Sequence, residues 1–224
     1  MTRLYGYRQA QTAAYRAIRE RMGWDNLPQY RQWECPHALL ALELQPEHEV
    51  LSVGAHWGEL TVALCSRCHL SAMDIAPAFK PWAKVRLEGA EHVWVGDARH
   101  LPYGDASFDR VVAVSMLEHV SPPEDGDTQV MREVARVLRP GGRAVVTVEA
   151  SREFVPWRLP VGRSYDWQAA YDRLVKPSGL SLDGRAEYSV ERLQAAWHNG
   201  DWDHVWPEAP WELIPACLVL ERGS

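Results

Sequence analysis

A glycine-containing loop after an apolar run offers the clearest chemistry in this sequence. Residues 50–53 are mostly strand-forming, as in a central strand buried on both faces. The chain then turns between Gly54 and Gly58, and a helix-like stretch follows over residues 59–66. Glycine lets a ligand approach the backbone without a Cβ in the way, and the following helix N-terminus favours an anionic group. The segment predicts a ligand-binding loop, although similar loops occur in several nucleotide-binding folds and in proteins that bind nothing there.

A second pattern with possible chemistry is Cys65-Ser-Arg-Cys68-His69, which matches the C-x-x-C-H of c-type haem attachment. Haem attachment requires export, and the polar N-terminus predicts no export signal. A zinc site would need two further ligands at a suitable spacing, and none lies nearby in the sequence. We therefore interpret all four cysteines as free thiols and predict no metal site.

Apolar runs alternate with helical patterns through the middle of the chain, which predicts a parallel, doubly wound sheet. After the strand at residues 50–53, strands are predicted over residues 69–74, 92–95, 109–114 and 143–148. Helices are predicted over residues 59–66, 77–87 and 128–138, with Asp127 as the N-cap of the third. Residues 139–142, Arg-Pro-Gly-Gly, predict a turn.

The two ends of the chain give weaker patterns. Before the core we expect a helix over residues 7–22 that stops at Gly23, an irregular loop over 24–33 and a short helix over 37–44. Beyond Ala150 the expected elements are a loop, a helix, a strand, a helix and a final strand that Pro215 makes irregular or places at an edge. These five elements are predicted over residues 151–163, 165–175, 180–187, 190–197 and 213–220.

Length and charge narrow the class of protein. A chain of 224 residues predicts one α/β domain with a substantial core. The formal charge of −6 argues against nucleic acid as a partner. Residues 1–31 nevertheless carry a net charge of +4, which indicates either a solvated helix face or a segment that attracts anions. Because no stretch is long and apolar enough to span a membrane, we expect a cytoplasmic protein with no membrane partner. The sequence leaves the oligomeric state open.

Six motifs in order over residues 45–150 resemble the class I S-adenosylmethionine-dependent methyltransferases, in the branch that acts on small molecules. The resemblance implies a Rossmann-like sheet of seven mostly parallel strands, with an antiparallel last strand and helices on both faces. It also implies the cofactor S-adenosylmethionine, with S-adenosylhomocysteine as product. The motifs are the loop at 50–58, Met73-Asp74-Ile75, Gly96-Asp97-Ala98, Leu101-Pro-Tyr with Ser-Phe-Asp109, Leu117-Glu-His-Val120, and Leu138-Arg-Pro-Gly-Gly142.

The resemblance also implies a role for each cofactor-binding candidate. Asp74 would accept the ribose hydroxyls, Asp97 would accept the adenine amino group, and the Ala98 N–H would serve a ring nitrogen. Gly54 and Gly58 would admit the methionine end of the cofactor. The complete set of cofactor-binding candidates is Gly54, Ala55, His56, Gly58, Asp74, Ile75, Asp97, Ala98, Ser115 and Met116.

His119 is the candidate general base, because a neutral imidazole suits proton removal near pH 7. It could equally be a structural histidine. Methyl transfer depends mainly on holding the reacting atoms in line, so activity does not require a base.

Two positions depart from the family pattern. The family usually has an acid where this chain has Ser52, and a second glycine where it has His56 beside Trp57. Either the loop is rebuilt and still binds the cofactor, or the protein is a catalytically inactive methyltransferase-like binding or regulatory protein. A third alternative, a nicotinamide-dependent dehydrogenase, shares the strand–glycine–helix start. It lacks the G-x-G-x-x-G pattern, because His56 replaces the second glycine.

We expect a single domain over residues 1–224 with three functional parts. Residues 1–45 would form an N-terminal helical cap, 46–150 the cofactor-binding core, and 151–224 the acceptor-side loops and C-terminal strands. The small-molecule acceptor would lie under the first and third parts, which are rich in tyrosine and tryptophan. Aromatic side chains suit a planar, amphipathic or cationic acceptor, unless they only fill the core. The basic N-terminal segment favours an anionic acceptor.

Overall fold

A computed structural model describes residues 3–4, 13–55, 58–151, 153–158, 162–182 and 214–223. Its main feature is a sheet in which five parallel strands form the centre and one edge, in the order β4-β3-β2-β5-β6. These strands are β2 (Glu49–Val53), β3 (His69–Asp74), β4 (His92–Val95), β5 (Phe108–Val114) and β6 (Leu138–Ala150). The order reverses between β2 and β5, which is where open α/β sheets bind ligands.

Antiparallel strands complete the other edge of the sheet. β10 (Ile214–Glu221) pairs antiparallel with β6, and the two-residue strands β1 (Arg3–Leu4) and β9 (Ser181–Leu182) pair antiparallel with β10. Seven strands follow one continuous order, and β9 is an additional short strand. The predicted doubly wound sheet with an antiparallel last strand is therefore confirmed.

Helices cover both faces of the sheet, as predicted. On one face pack α1 (Ala13–Met22), α2 (Gln29–Ala41) and α3 (Glu59–Leu64), and on the other α5 (Gly126–Val137) and α6 (Trp167–Ala170). A further helix, α4 (Phe79–Arg86), packs near β3 and β4. Neighbouring strand residues face opposite cores, for example Val145 and Val146 of β6, as the two-residue period of a strand requires.

The prediction of an irregular loop over residues 24–33 was wrong. A 3₁₀ turn (Trp24–Asn26) is followed by α2, which begins directly after Pro28 and continues through Pro36. Pro28 in this stretch suggested a loop. Burial of Trp33 against the sheet stabilises the helix despite Pro36. The predicted stop at Gly23 holds: it ends α1 in a left-handed conformation, with φ of 70°.

Two other local predictions were wrong, and one was correct in part. Asp127 does not cap α5 but lies fully buried in its first turn. The predicted loop at 151–163 contains a hairpin, β7 (Val155–Arg158) with β8 (Gly162–Ser164). Pro215 was expected at an irregular or edge position, and the structure supports the second: it lies in a regular part of β10, where it pairs with Glu149. At Pro215, β6 is the only described strand that lies beside β10. No described strand on the opposite side of β10 needs a hydrogen bond from the N–H that proline lacks.

Residues 139–142 do make a turn, but inside a strand. Phe108 pairs with Leu138 and Arg110 with Arg143, so four residues of β6 bulge opposite one residue of β5. The helix expected at 165–175 is present as α6 followed by a π-helical turn (Tyr171–Val175). The expected strand at 180–187 is seen as β9, and its last five residues and the predicted helix at 190–197 lie outside the described residues.

Candidate active site

Two cavities at the carboxyl ends of the parallel strands meet at Gly54. The smaller has a volume of about 150 Å³, and the larger, about 420 Å³, lies within the usual range for small-molecule sites. Besides Gly54, six predicted residues line the smaller cavity: Asp74, Ile75, Asp97, Ala98, Met116 and His119. Gly58 and Ser115 line the larger cavity.

Asp74 ends β3 and presents a half-buried carboxylate to the smaller cavity. One carboxylate oxygen accepts a 2.8 Å hydrogen bond from the Ala76 N–H, which closes a short turn and fixes the side chain. The next residue, Ile75, is 70% exposed and offers an apolar surface at the cavity edge. A carboxylate beside an apolar residue can hold a ligand that has hydroxyl donors and an apolar ring.

Asp97, in the loop after β4, is held by Arg99 two residues later. The Arg99 Nε lies 3.0 Å from Oδ1 and 2.9 Å from Oδ2, and the Arg99 backbone N–H donates to Oδ1 at 2.9 Å. Arg99 also donates to the Pro122 carbonyl, across the cavity entrance. Hydrogen bonds from Arg99 lower the pKa of Asp97, so this carboxylate stays ionised and oriented. Arg99 was not predicted, although its spacing from Asp97 was visible in the sequence.

The junction at Gly54 depends on close contact with Met116. Gly54 has φ of 68°, and a Cβ at this position would lie 2.3 Å from Met116 Cγ. Ala55 is buried, and its N–H donates to the Met73 carbonyl at 2.9 Å, so that N–H is not available to a ligand. The next two residues, His56 and Trp57, lie outside the described residues. Glycine at 54 therefore serves the packing of Met116 as well as the turn.

The larger cavity is bordered by α2 on one side and by β2, α3 and β5 on the other. At the position where the family pattern has an acid, Ser52 is buried, and its hydroxyl lies 2.8 Å from that of Thr61. The Ser52 hydroxyl therefore has a hydrogen-bond partner within the protein, the Thr61 hydroxyl. Among the described residues, Arg31 is the positively charged side chain that lines this cavity, and it was not predicted from the sequence.

Arg31 is linked to Ser115 through Glu34. The Arg31 guanidinium lies 3.0 Å from Glu34 Oε2, and Ser115 Oγ donates to Glu34 Oε1 at 2.8 Å. Glu34 is fully buried. Arg31 and Glu34 have the i, i+3 spacing of an ion pair on a helix, a signal that was missed because the start of α2 was not predicted.

His119 ends a 3₁₀ turn (Leu117–His119) after β5 and lines the smaller cavity from an exposed position. Surrounding protein atoms lower its pKa by desolvation, and the charge of Arg31 lowers it further. The imidazole is therefore mostly neutral at pH 7. It lies on the cavity that Asp74 and Asp97 share.

Two further carboxyl groups lie next to this region. Glu118 is fully buried, and Glu149 is half-buried near the end of β6. Burial raises the pKa of Glu149 to about 7 and raises that of Glu118 well above its usual range; repulsion from Glu34 contributes in both cases. Neither residue was singled out from the sequence, because no spacing links acids on such distant segments.

The acceptor-side segment is attached to the core through Asp127. The Asp127 carboxylate accepts hydrogen bonds from Tyr165 Oη at 2.9 Å and from Arg173 Nε at 2.9 Å, and it lies 2.9 Å from Arg163 Nη1. Arg163 also donates to the Val120 carbonyl just after His119. A buried acid on α5 thus connects the hairpin, the π-helical turn and the loop that carries His119.

The described cysteines behave as structural residues. All four are free, and burial raises their pKa values, for Cys35, Cys68 and Cys217 to about 12. Among the described residues, one group of side chains is close enough to share a metal ion, namely Glu49, His69 and Glu91. It lies at the opposite end of the parallel strands, where His69 Nδ1 is 2.6 Å from Glu91 Oε1. Protonation of His69 is favoured by this contact, which raises its pKa.

In the described part of the chain, no helix has both the length and the apolar character needed to cross a membrane. The fold is that of an α/β protein whose two cavities lie at the carboxyl ends of the parallel strands, which is where open sheets of this kind bind ligands. Comparison with known proteins makes the class more specific.

The family model described as a methyltransferase domain matches residues 51–146. A demethylmenaquinone methyltransferase from Clavibacter sepedonicus is 34% identical over 188 residues, which are 78% of this chain and 72% of that protein. Methyltransferase GfsG from Streptomyces halstedii is 35% identical over 161 residues, 63% of this chain. The aligned region spans only 55% of that relative's length.

Solved structures share the fold at lower identity. A Burkholderia thailandensis 1,6-didemethyltoxoflavin-N1-methyltransferase, solved with S-adenosylhomocysteine, has a TM-score of 0.60 at 17% identity and covers 95% of this chain and 92% of its own. The [4+2]-cyclase SpnF also has a TM-score of 0.60, at 21% identity over 85% of this chain and 81% of its own. The chain belongs to the class I S-adenosylmethionine-dependent methyltransferases and is a methyltransferase. The dehydrogenase alternative is wrong.

Proposed function

We propose that this enzyme transfers a methyl group from S-adenosylmethionine to a small-molecule acceptor. The observation that carries the proposal is a pair of carboxylates that line one cavity: Asp74 at the end of β3 and Asp97 in the loop after β4. That cavity meets a second one at Gly54, and Arg31 lines the second. The smaller cavity offers hydrogen-bond acceptors, which suit a nucleoside, and the larger cavity offers a cation, which suits the carboxylate of an amino acid. Together they fit a ligand that has a nucleoside at one end and an amino acid at the other.

The smaller cavity would hold the nucleoside. Asp74 would accept hydrogen bonds from the ribose hydroxyls, and Asp97 would accept one from the adenine amino group. The Ala98 N–H would donate to a ring nitrogen, while Ile75 and Met116 would contact the base. Arg99 occupies part of the hydrogen-bonding capacity of Asp97, but an ionised carboxylate has about four lone-pair sites.

The methionine end would lie across Gly54 in the larger cavity. Gly54 and Gly58 would let the ligand approach the backbone, and His56 and Ser115 would lie beside it. Arg31 would pair with the cofactor carboxylate. Because Ser52 and Thr61 satisfy one another, the usual acid is not needed to complete hydrogen bonding at that position.

When bound, S-adenosylmethionine supplies an electrophilic methyl group on a sulfonium. The protein's contribution is to orient the two reactants and exclude water. His119 would accept a proton from the acceptor as a neutral imidazole. We propose a division of the chain in which residues 1–45 cover the site, 46–150 hold the cofactor and 151–224 form the acceptor side. Asp127 supports this division by tying the described acceptor-side elements to α5.

Calorimetric titration with S-adenosylhomocysteine tests the proposal. The protein should bind one equivalent with micromolar affinity, and Asp74→Asn and Asp97→Asn should each weaken binding about tenfold or more. Glu88→Gln, a change at an exposed acid, is the matched control and should leave binding unchanged.

Absence of binding by the unaltered protein would overturn the proposal. The titration should be repeated with His56→Gly, which restores the glycine of the family pattern. Binding by that variant alone would favour the inactive alternative, in which His56 closes the cofactor loop.

A further inference from the structure

One buried carboxylate stands behind two groups that line the larger cavity. Glu34 of α2 has no exposed surface. Its Oε2 accepts a 3.0 Å hydrogen bond from Arg31 Nη1, and its Oε1 accepts a 2.8 Å hydrogen bond from Ser115 Oγ. Arg31 and Ser115 both line the larger cavity. Because the two oxygens of a single carboxylate hold them, these two groups lie side by side at the cavity wall.

The bond to Glu34 decides what the Ser115 hydroxyl can offer a ligand. A hydroxyl has one hydrogen to donate and two lone pairs that accept, whereas an ionised carboxylate accepts only. The Ser115 hydrogen is therefore committed to the Glu34 carboxylate, which is paired with Arg31. Toward a ligand in the cavity, Ser115 Oγ acts as an acceptor, which suits the N–H groups of an ammonium ion.

Glu34 also fixes the direction of the Arg31 side chain. A guanidinium is planar and carries five N–H donors, so an ion pair at Nη1 orients the whole group. Ordering a long arginine side chain costs conformational entropy, and the pair with Glu34 meets that cost before a ligand binds. The Arg31 side chain is 28% exposed although its partner is fully buried, so it extends from Glu34 to the cavity. Its charge and N–H donors suit a carboxylate.

Other acidic positions at the cavity are less suited to an ammonium ion. The position of the acid in the family pattern is occupied by Ser52, whose hydroxyl is paired with that of Thr61. Glu59 is the acid that lines the cavity among the described residues, and its carboxylate lies 3.2 Å from Arg86 Nη2. Arg31 and Ser115 thus place a cationic donor directly beside an acceptor, which matches the carboxylate and the ammonium of an α-amino acid.

We propose that Glu34 is a positioning residue that makes Arg31 and Ser115 a paired site for the amino-acid end of the cofactor. Arg31 receives the carboxylate, and Ser115 Oγ accepts a hydrogen bond from the ammonium. Glu34 touches no ligand and acts through its two partners. This inference rests on the proposed function, because it explains how the same ligand is recognised.

Isothermal titration of the full-length protein with four ligands tests the inference. They are S-adenosylhomocysteine, its two analogues that lack either the amino group or the carboxylate, and 5′-methylthioadenosine, which lacks both. We expect S-adenosylhomocysteine to bind about tenfold more tightly than either single-charge analogue, or better. Equal affinity for S-adenosylhomocysteine and the analogue without the amino group would overturn the inference.

Glu34→Gln keeps the size of the side chain but reverses one hydrogen bond. When the amide oxygen accepts from Arg31, the amide N–H donates to Ser115 Oγ, and the Ser115 hydrogen turns to the cavity, where it opposes an ammonium ion. This variant should bind S-adenosylhomocysteine about tenfold more weakly, while its affinity for 5′-methylthioadenosine changes less than about twofold. An equal loss for both ligands would show a merely structural role and would contradict the inference, as would unchanged or tighter binding of S-adenosylhomocysteine.

Ser115→Ala removes the acceptor and leaves the ion pair between Arg31 and Glu34 in place. It should lose the preference for the amino group and keep the preference for the carboxylate. An amino-group preference that survives in this variant would overturn the inference. Glu88→Gln, at an exposed acid, is the control and should match the unaltered protein.

Glu59→Gln examines the other acid at the cavity. Loss of the amino-group preference in this variant, with Glu34→Gln unchanged, would assign the ammonium to Glu59 and overturn the inference. The ligand set also separates the two levels of the account. Failure to bind either S-adenosylhomocysteine or 5′-methylthioadenosine would contradict the proposed function, whereas binding of both with equal affinity would contradict only the paired site.

Discussion

Ser115 Oγ donates a 2.8 Å hydrogen bond to Glu34 Oε1, although 81 residues separate them in the chain. The bond joins the loop after β5 to α2, the helix that covers the larger cavity. Ser115 also has φ of 44°, a left-handed conformation that is uncommon for residues with a side chain. The Ser115 N–H donates to Thr147 Oγ1 at 3.0 Å, which helps to hold this conformation.

Removing the Ser115 hydroxyl should destabilise the protein. Ser115→Ala leaves a buried carboxylate oxygen with one partner fewer, and we expect a loss of about 1–3 kcal/mol in the free energy of unfolding, measured in urea. Ser115→Gly removes the same hydroxyl but adopts a positive φ without strain, so it should lose about 1 kcal/mol less. A glycine variant less stable than the alanine variant would contradict the strain argument.

Gly54→Ala should be far more damaging than the same change at a glycine in similar backbone geometry. Its Cβ would lie 2.3 Å from Met116 Cγ, whereas a Cβ at Gly23, with φ of 70°, would meet nothing within 4 Å. We expect Gly23→Ala to cost about 1 kcal/mol and Gly54→Ala about 3 kcal/mol or more by urea denaturation. Adding Met116→Ala should recover part of the loss. Equal effects at the two glycines would show that contact with Met116 is unimportant.

Arg99 should act on the ligand through Asp97. Because its guanidinium orients the Asp97 carboxylate, Arg99→Gln should weaken S-adenosylhomocysteine binding by roughly threefold to tenfold, up to ~1.4 kcal/mol. Asp97→Asn should weaken binding more. Calorimetry measures both constants. Tighter binding by Arg99→Gln would mean that Arg99 competes with the ligand for the carboxylate.

The activity should depend on the ionisation of His119. Its pKa lies below the usual 6.5, so kcat/KM should rise with pH to a plateau, with a midpoint below 6.5. His119→Gln should abolish that limb. Arg31→Gln removes a positive charge that lowers the pKa, so it should move the midpoint upward. An unchanged acid limb in His119→Gln would exclude His119 as the base.

Glu149 should lower the stability of the protein above neutral pH. Its pKa rises from 4.5 to about 7 on folding, so the folded protein keeps a proton that the unfolded chain releases between these values. Stability therefore falls as pH rises through that range. Glu149→Gln removes this loss, on the order of 2 kcal/mol, and should raise the melting temperature at pH 8 by several degrees. The two proteins should melt alike near pH 4. A lower melting temperature for the variant at pH 8 would contradict the raised pKa.

The central strands could be predicted because their signals are local. β3 and β4 have the predicted bounds, and Asp74 and Asp97 follow them at the cavity, as the motifs implied. The failed prediction of a loop over residues 24–33 rested on Pro28, but α2 begins directly after this residue and continues through Pro36 because its buried face packs on the sheet.

The rest of the site could not be predicted because it is assembled across long separations. Glu34, Ser115 and Glu149 come from a helix, a loop and a strand, and no periodicity connects them. Burial of Asp127 depends on Arg163 and Arg173, which lie more than thirty residues away. Such contacts follow from the fold and not from spacing.

The central claim is that the two cavities meeting at Gly54 form one cofactor site. Hydrogen–deuterium exchange with and without S-adenosylhomocysteine tests it most directly. We predict protection in peptides covering residues 73–76, 96–99 and 115–120 around the smaller cavity, and in those covering 27–35 and 58–61 around the larger. Peptides covering 65–69, at the opposite end of the strands, should be unchanged. Protection at only one cavity, or at the opposite end, would contradict the account.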